Sequence, residues 1–361
     1  MKNIEAFAVF AKKILEGQEG VFWSERDVDG KERFVFGYGE KKESDFLNGD
    51  YPLFSSVDFE GVNNKVIHFK SSYSSDDLPN DECRMTNVEF NNNLSLSGLD
   101  DLESFSNEDE QSFCSKIEKV KEYARNGELW VLNLAQEFSG KCDDWRVLLS
   151  GFYDFLKLNK AHVGGVWVTS DLKFCSMSPE VFLRQKGRSI LTFPIKGTNK
   201  EVDRLRSSDK EVSELYMVTD LIRNDFSQIC KNVRVERDRV FTNQSSFFHA
   251  HSEISGELVG ELTFENFKKL LPAGSIAGAP KERVIEKILE LESFDRGFYT
   301  GTFGVRTSPD DFVANILIRT CFVEDCKWRF PVGAGITIES VAKDEWRETF
   351  QKAGDFVRCF S

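Results

Sequence analysis

The sequence predicts a large α+β protein in which helices and strands are mixed along the whole chain. Two observations carry this prediction. Apolar positions switch repeatedly between the spacing of an amphipathic helix and the short continuous runs of buried strands. The chain also has 361 residues, 40% of them hydrophobic and 30% charged. That is the composition of a globular protein that buries a substantial core.

The N-terminal part is predicted to begin with a helix and a hairpin. One apolar face of this helix consists of Ile4, Phe7, Ala11, Ile14 and Leu15. Strands at 21–26 and 33–38 then flank Asp29-Gly30, a dipeptide typical of tight hairpin turns. Residues 71–112 are rich in Ser, Asn, Asp and Glu, and they indicate a long surface connection. We therefore divide the chain into residues 1–105, a reduced N-terminal lobe with a linker, and residues 106–361, a larger domain.

The larger domain is predicted to alternate helices with strands. Its helices are expected near residues 113–123, 145–156, 208–222, 284–292 and 343–353. Its strands are expected near residues 129–134, 163–168, 172–177, 189–193, 298–305, 312–322 and 330–338. Asn126-Gly127 should end the first helix, and Pro280, at the end of a small-residue loop at 272–281, should begin the fourth. The strands at 172–177 and 189–193 are expected to pair around the segment 194–198.

Charge and cysteine usage limit the partners. The chain has 47 Lys and Arg against 60 Asp and Glu, a formal charge of −13. This acidic balance argues against nucleic acid and anionic membrane surfaces as partners. No long uncharged apolar stretch predicts a transmembrane helix, and Glu5, Lys12 and Lys13 interrupt any signal peptide. The eight cysteines include no C-x-x-C pair, so we expect reduced thiols and a cytoplasmic location.

The segment Pro194-Ile195-Lys196-Gly197-Thr198 is the first candidate for chemistry. It follows a short apolar strand, so it would hold the amine of Lys196 at the lip of a sheet. On these five residues alone, a solvent-exposed turn lysine is the simpler interpretation. Glu180 lies one strand earlier, at a separation that can place a carboxyl and an amine on the same side of a cleft. Such a pair suits general acid catalysis combined with nucleophilic attack.

Two Glu-x-x-Glu pairs suggest a metal site. Glu211 with Glu214, and Glu345 with Glu348, lie on predicted helices, where residues three apart share a face. Four convergent carboxylates with no cysteine or histidine nearby suit Mg²⁺, which prefers oxygen ligands. The alternative for each pair is a solvated acidic helix face.

Three further positions could contact an anionic ligand. Lys352 lies four residues after Glu348, where it could form an ion pair or approach a substrate carboxylate. Arg319 falls on an inward strand face, where a charged side chain needs an anion. Gly333 and Gly335 lack side chains, so their backbone amides could lie close to a ligand; a plain tight turn is the alternative.

Taken in order, these motifs resemble those of the chorismate-utilising enzymes, the family that contains anthranilate, aminodeoxychorismate, isochorismate and salicylate synthases. The resemblance extends over about residues 113–353, whereas residues 1–105 match only weakly. The matching motifs lie at 178–180, 214–225, 249–256, 272–281, 290–292, 296–301, 315–320, 333–336 and 345–348. The family fold implied is two β-sheets packed together with helices outside, with residues 106–361 as the chorismate-binding catalytic domain.

Within this family the lysine is informative. Members resembling aminodeoxychorismate synthase component I carry Lys at the position of Lys196, whereas anthranilate synthases typically carry Ala. Isochorismate and salicylate synthases use a different lysine, on an earlier strand, at a position that Val131 occupies here. The resemblance therefore implies amination of chorismate to 4-amino-4-deoxychorismate, a step toward folate precursors. Ammonia would come from a separate glutamine amidotransferase subunit, because this chain has no G-x-C-x-G motif.

The resemblance also implies a role for each site residue. Lys196 would be the nucleophile and Glu180 the general acid, with His249, by pattern alone a structural histidine, as a third catalytic residue. The implied ligands of Mg²⁺ are Glu214 and Glu348, with Glu211 and Glu345 beside them. The residues implied in substrate binding are Gly197, Thr198, Ser275, Tyr299, Arg319, Gly333, Gly335 and Lys352.

Two alternatives and two departures remain. The chain could be an anthranilate synthase component I, which is a lyase, or a non-catalytic regulatory protein that binds chorismate. The presence of Lys196, Glu180 and both glutamate pairs argues against the second alternative. Ala277 replaces a hydroxyl residue usual in the small-residue loop, and Val131 replaces a common Gln near the ligand pocket.

Overall fold

The structure is a computed structural model that describes residues 2–26, 31–47, 49–75, 102–158, 162–199, 201–244 and 247–360. Within these ranges the helices are α1 (Lys2–Leu15), α2 (Glu110–Arg125), α3 (Val147–Lys157), α4 (Val202–Ser207), α5 (Asp209–Ser227), α6 (Phe264–Lys268), α7 (Gly274–Ala277), α8 (Lys281–Leu291) and α9 (Ala342–Val357), with a 3-10 helix at Leu102–Phe105. None of these helices combines the length and the apolar content needed to span a bilayer.

The strands of the N-terminal half within the same ranges are β1 (Gly20–Arg26), β2 (Glu32–Glu43), β3 (Leu53–Val57), β4 (Asn64–Ser74), β5 (Val131–Lys141), β6 (His162–Val168), β7 (Lys173–Ser176) and β8 (Val181–Lys186). The strands that follow are β9 (Ser189–Thr192), β10 (Ile195–Asn199), β11 (Cys230–Gln244), β12 (Phe247–Leu258), β13 (Gly278–Ala279), β14 (Thr302–Ser308), β15 (Asp311–Ile316), β16 (Thr320–Glu324) and β17 (Lys327–Thr337).

These strands form one continuous antiparallel series. From partner to partner the order is β13, β5, β17, β16, β7, β6, β1, β2, β4, β3, β14, β15, β8, β9 and β12. Both β10 and β11 also pair with β12. The α+β prediction is therefore confirmed.

The series folds back so that its two halves pack face to face. The ring of Phe303 on β14 contacts the rings of Trp23 on β1, Phe174 on β7 and Trp167 on β6, at centroid distances of 4.9, 5.2 and 6.0 Å. These aromatic side chains are fully buried, and edge-to-face contacts of this kind stabilise a core beyond simple burial. The two packed sheets expected from the family thus occur as two halves of one hydrogen-bonded series.

Several predicted boundaries agree with the structure. β1 and β2 pair as the predicted hairpin, although its turn at 27–30 lies outside the described residues. Helix α2 ends at Arg125 with Asn126 as its C-cap, and Gly127 follows with a φ of +75°. Ser208 caps the N-terminus of α5, and Pro280 immediately precedes α8. Local chemistry determines these ends, because caps satisfy backbone groups that the helix leaves unpaired.

Other element predictions were wrong. β7 and β9 do not pair with each other: β7 pairs with β6 and β16, whereas β9 pairs with β8 and β12. The single strand expected at 312–322 is two strands, because Arg319 adopts a φ of +49° between β15 and β16. The small-residue loop contains the short elements α7 and β13. Leu15, expected on the buried face of α1, is 39% exposed.

The N-terminal strands are integral to the series. β1 pairs with β6, and β3 pairs with β14, so residues before 105 hydrogen-bond strands that follow 105. Residues 76–101, which contain most of the predicted linker, lie outside the described residues. The boundary near residue 105 stays a prediction about the sequence.

Candidate active site

Lys196 lies on β10 next to a bulge. The antiparallel register between β10 and β12 shifts between Lys196 and Thr198, and the intervening Gly197 has a φ of +79°. A Cβ at Gly197 would lie 2.8 Å from Oε2 of Glu211 on α5. Glycine is required here because its backbone is left-handed and a carboxylate lies against its α-carbon. Nothing is described of the Thr198 side chain.

The amine of Lys196 lies over β17 at Gly335. A Cβ built on Gly335 would be 3.5 Å from Nζ of Lys196 and 3.8 Å from Oε2 of Glu214. Cγ2 of Val131, on the adjoining strand β5, would also be 3.8 Å away. Four elements, β5, β10, α5 and β17, therefore place an amine, a carboxylate and a methyl group around one point. The partly buried Lys196 is not an isolated turn residue.

Glu180 is a buried carboxyl that faces this amine. Only 5% of the residue is exposed, and burial raises the pKa of its carboxyl to about 7. The Ser275 hydroxyl, the Lys196 ammonium and the backbone N–H of Ile195 each oppose this rise in pKa. A carboxyl with that pKa is partly protonated at neutral pH, so it can donate a proton and later accept one. The Lys196 charge acts on the Glu180 carboxyl, so the two side chains lie close together, and their catalytic roles stay predictions.

Ser275 lies close to the carboxyl of Glu180. Its hydroxyl is buried and forms no hydrogen bond of normal length with any residue that the structure describes. The serine is presented by α7, one turn of helix in which Gly274 packs so closely on Leu221 of α5 that a Cβ there would clash. The small residues of this loop are therefore needed for close packing.

His249 and Arg319 form a second part of the site. His249 on β12 lies opposite Thr198 and is 4% exposed. Burial, the Arg319 guanidinium and His251 lower the pKa of the His249 imidazole to about 4. His249 is therefore neutral at neutral pH and can act as a hydrogen-bonding group. The left-handed backbone of Arg319 is unusual outside glycine, and such strain is concentrated at functional positions.

The backbone of Gly333 contacts two side chains of the site. Its carbonyl accepts a hydrogen bond of 3.0 Å from Nζ of Lys352, and its backbone lies close to the hydroxyl of the buried Tyr299. Lys352 also forms an ion pair of 2.8 Å with Glu348. Gly333 thus joins α9 and Tyr299 to β17, whereas Gly335 borders the amine. Both interpretations of Lys352, an ion pair or a residue near the site, are compatible with these contacts.

The four glutamates do not form a closed metal site. Glu214 and Glu345 are buried, and Glu345 accepts a hydrogen bond of 2.7 Å from Oγ of Ser340. Glu348 forms an ion pair with Lys352 on the same helix. In the described part of the chain, no group of three or more His, Cys, Asp or Glu side chains could hold a metal ion. The donor chemistry suits Mg²⁺, and the assignment of these residues as ligands stays a prediction.

The sequence arguments did not identify two features of the site. The buried Oδ1 of Asn133 would be 2.2 Å from a Cβ at Gly333, and it has no hydrogen-bond partner among the described residues. Asp225 and Lys281 form a partly buried ion pair of 2.7 Å, and Asp225 and Glu180 both line a small cavity. The signal for Asn133 was its strand spacing, two residues after Val131, which places both on the same face.

The chain matches known sequences over most of its length. A family model described as "chorismate binding enzyme" matches residues 54–358. The anthranilate synthase component 1 of Lactococcus lactis is 33% identical over 286 residues, covering 73% of this chain and 60% of that protein. The aminodeoxychorismate synthase component 1 of Bacillus subtilis is 32% identical over 259 residues, covering 68% of this chain and 54% of that protein. The chain thus spans little more than half the length of these curated relatives.

A solved structure shares the fold. The menaquinone-specific isochorismate synthase from Escherichia coli aligns with a TM-score of 0.80, covering 99% of this chain and 91% of that chain. The sequence identity in this alignment is 16%, so the likeness supports the fold alone.

Proposed function

The chain belongs to the chorismate binding enzymes, and within that family we propose that it is a chorismate-aminating subunit, an aminodeoxychorismate synthase component I. The observation that carries this proposal is the position of the Lys196 amine, which lies at Gly335 with Glu214 beside it and faces Glu180. A nucleophile and a partly protonated acid that lie close together provide both groups that a substitution reaction at a hydroxylated ring needs.

We derive the steps from this pair. The Lys196 amine attacks C2 of the chorismate ring and forms a C–N bond, the ring double bonds shift, and the C4 hydroxyl leaves. Glu180 supplies the proton with which that hydroxyl departs as water. Ammonia then attacks C4, the double bonds shift back, and the C2–N bond to the lysine breaks. Glu180 takes up the proton that ammonia releases.

The environment of Glu180 favours the reactive protonation state. Burial penalises the charged form of the Glu180 carboxyl, as its raised pKa indicates. Part of the population therefore carries the proton that the departing hydroxyl needs.

Substrate carboxylates require positive groups. We assign Arg319, with Tyr299 and the amide of Gly335, to the enolpyruvyl carboxylate. The positive charge of Arg319 acts within the site, because it helps to lower the pKa of the buried His249. Mg²⁺, when bound by the glutamates of α5 and α9, would neutralise the ring carboxylate and orient the ring. Lys352 on α9 lies at the edge of the proposed substrate site, where its amine donates a hydrogen bond to the carbonyl of Gly333.

The ammonia source is proposed to be a separate glutamine amidotransferase. The printed chain has no G-x-C-x-G nucleophile motif. Turnover of chorismate should therefore proceed with ammonium salts and should not proceed with glutamine, unless a glutaminase is added.

The decisive experiment is mass analysis of the product and of the protein. With chorismate, Mg²⁺ and ammonium, we expect 4-amino-4-deoxychorismate, which retains the enolpyruvyl group, and a protein adduct on the peptide that contains Lys196. Lys196→Ala should lose the adduct, and turnover should fall more than about 1,000-fold. Lys268→Ala, which removes an exposed lysine on α6, is the matched control. Normal turnover in Lys196→Ala would refute the nucleophile.

Anthranilate synthase component I is the second candidate, because the Lactococcus lactis relative of that name is 33% identical. Its product lacks the enolpyruvyl group and is fluorescent. Fluorescent anthranilate formed without any partner lyase would favour this second activity. Binding of chorismate with no product of either kind would indicate a regulatory protein.

A further inference from the structure

Two cysteines are joined by a backbone hydrogen bond where the β16–β17 hairpin meets the end of β5. β16 and β17 are joined by a two-residue turn, Asp325-Cys326, because Glu324 pairs with Lys327. On the other side of β17, Lys327 pairs with Lys141, the last residue of β5. The ladder continues one residue further, since the N–H of Cys142 donates to the carbonyl of Cys326 at 2.7 Å.

This hydrogen bond limits the distance between the two α-carbons. With standard bond lengths, residues joined by such a bond have α-carbons no more than about 6.6 Å apart. Disulfides span α-carbon distances of about 4.4–6.8 Å. The backbone therefore meets the distance requirement for a disulfide.

The two thiols differ in access. Cys142 is 4% exposed and packs in the core near Trp328, whereas Cys326 is exposed at the turn. Burial raises the pKa of the Cys142 thiol, and Cys326 lies close enough to contribute to this rise. An oxidant can reach Cys326 first, and Cys142 then lies beside the product.

The turn itself gives an independent indication. Asp325 and Cys326 both have positive φ, 47° and 60°, as a two-residue turn with the twist of a hairpin requires. Glycine or asparagine is the usual residue at such positions, and a residue with a Cβ is strained there. A cysteine at this position is unfavourable for the turn alone, and strain of this kind points to a function of the side chain.

We propose that Cys142 and Cys326 are an oxidative modification site that forms an intramolecular disulfide when the protein meets a peroxide. The Cys326 thiolate attacks one peroxide oxygen, giving a sulfenic acid and one water. The Cys142 sulfur then attacks the sulfenic sulfur, forming the S–S bond and releasing a second water. Two thiols lose two protons and two electrons, and the peroxide is reduced to two waters. The bond ties the tip of the β16–β17 hairpin to the end of β5.

A second cysteine pair in the same fold is a natural control. Cys175 and Cys321 are directly opposite in the β7–β16 ladder, but both are fully buried. Cys175 and Cys321 are also cross-strand neighbours, but neither thiol is accessible to an oxidant in solution. Peroxide should therefore leave this pair reduced in the folded protein.

The experiment treats the full chain with hydrogen peroxide, unfolds it, alkylates the remaining thiols and maps the peptides without reduction. We expect a loss of about 2 Da, one cross-linked peptide pair containing Cys142 and Cys326, alkylated Cys175 and Cys321, and reversal by dithiothreitol. The eighth cysteine, Cys83, lies outside the described residues, and its peptide should also be alkylated.

Variants separate the proposal from general oxidation. Cys142→Ser and Cys326→Ser should each abolish the cross-link, whereas Cys114→Ser, which changes a half-buried thiol on α2, should leave it intact. Cys326→Gly should relieve the strained turn, so the reduced variant should melt higher than the reduced wild type and should no longer respond to peroxide. A cross-link between other cysteines, or oxidation of Cys326 without a bond to Cys142, would overturn the proposal.

Discussion

At the scale of single residues, burial determines which groups can react. Glu180 and His249 are both almost inaccessible, and burial shifts their pKa values in opposite directions, because in each case it penalises the charged form. The result is one acid that can be protonated at neutral pH and one imidazole that is neutral at that pH. Sequence order reveals neither shift, since both depend on the elements that cover the side chains.

The raised pKa of Glu180 predicts a pH-dependent stability. Below pH 4.5 the carboxyl is protonated in both folded and unfolded chains, so the raised pKa has no destabilising effect there. As the pH rises from 4.5 through about 7, the unfolded chain ionises first and the folded chain loses about 3 kcal/mol. Glu180→Gln should therefore be more stable than wild type by up to that amount at pH 8, and equally stable near pH 4.

Urea unfolding at the two pH values measures this difference. The matched control is Glu265→Gln, which makes the same substitution at an exposed carboxylate on α6. An advantage of Glu180→Gln that is the same at pH 4 and pH 8 would show that the carboxyl does not titrate as described.

Gly335 offers a test of the site that separates function from folding. A methyl group there would make ordinary contacts of 3.5–3.8 Å with Lys196, Glu214 and Val131, so the fold should accept Gly335→Ala. The same methyl group would occupy the space between the amine and the carboxylate. We expect the midpoint of thermal unfolding to stay within a few degrees and turnover to fall at least about tenfold.

Gly333→Ala is the contrasting variant. Its Cβ would be 2.2 Å from Oδ1 of Asn133, so it should lower the melting temperature as well as the activity. Full turnover in Gly335→Ala would show that the substrate does not bind in the space between Gly335, Lys196 and Glu214.

At the scale of elements, helix α5 and strand β10 form the site together. Ser208 accepts a hydrogen bond from the N–H of Glu211, which fixes the first turn of α5. That turn carries Glu211 against Gly197, and Glu214, one turn later, lies at Gly335. The spacing of Ser208 and Glu211 is the S-x-x-E pattern of a capped helix start.

Removing this cap should loosen the first turn. Ser208→Ala should reduce the free energy of unfolding by about 1 kcal/mol and should speed hydrogen exchange at the amides of 211–214. Ser207→Ala is the neighbouring control, because Ser207 is exposed and bonds only within its own short helix α4. Equal exchange rates in the two variants would show that Ser208 does not hold the turn.

Helices and strands were predicted correctly where the local sequence pattern determines them. They were missed where pairing with a neighbouring strand determines the structure. Helix α2 and the β1–β2 hairpin have strong periodicity and clear end signals. Strand β11 was not predicted: its sequence is rich in charged residues and many of its side chains are exposed. Pairing with β12 supplies its backbone hydrogen bonds. Such a strand is stabilised by its neighbour, and a single sequence segment does not show this.

At the scale of the whole molecule, the N-terminal strands complete the packing of the catalytic region. β6 and β14 would each lose a partner strand without β1 and β3. The rings around Phe303 would also lose the contact with Trp23. We therefore expect a fragment of residues 106–361 to fail to fold, because unpaired strand edges and exposed aromatic side chains favour aggregation.

Near-UV circular dichroism and sedimentation of that fragment test the expectation. Co-expression of residues 1–105 as a separate chain should restore a folded complex. A monomeric fragment of residues 106–361 with native tertiary signals would instead show that the boundary near residue 105 separates two independent units.

The sequence by itself determined the α+β class, the family, and the types of residue at the site, because periodicity, capping residues and ordered motifs are local properties of the chain. The tertiary structure decided that all described strands share one folded series, that Lys196 lies at Gly335 beside Glu214, and that Glu180 is protonated at neutral pH part of the time. These features depend on burial and on distances between segments far apart in the sequence. Only the packed chain specifies them.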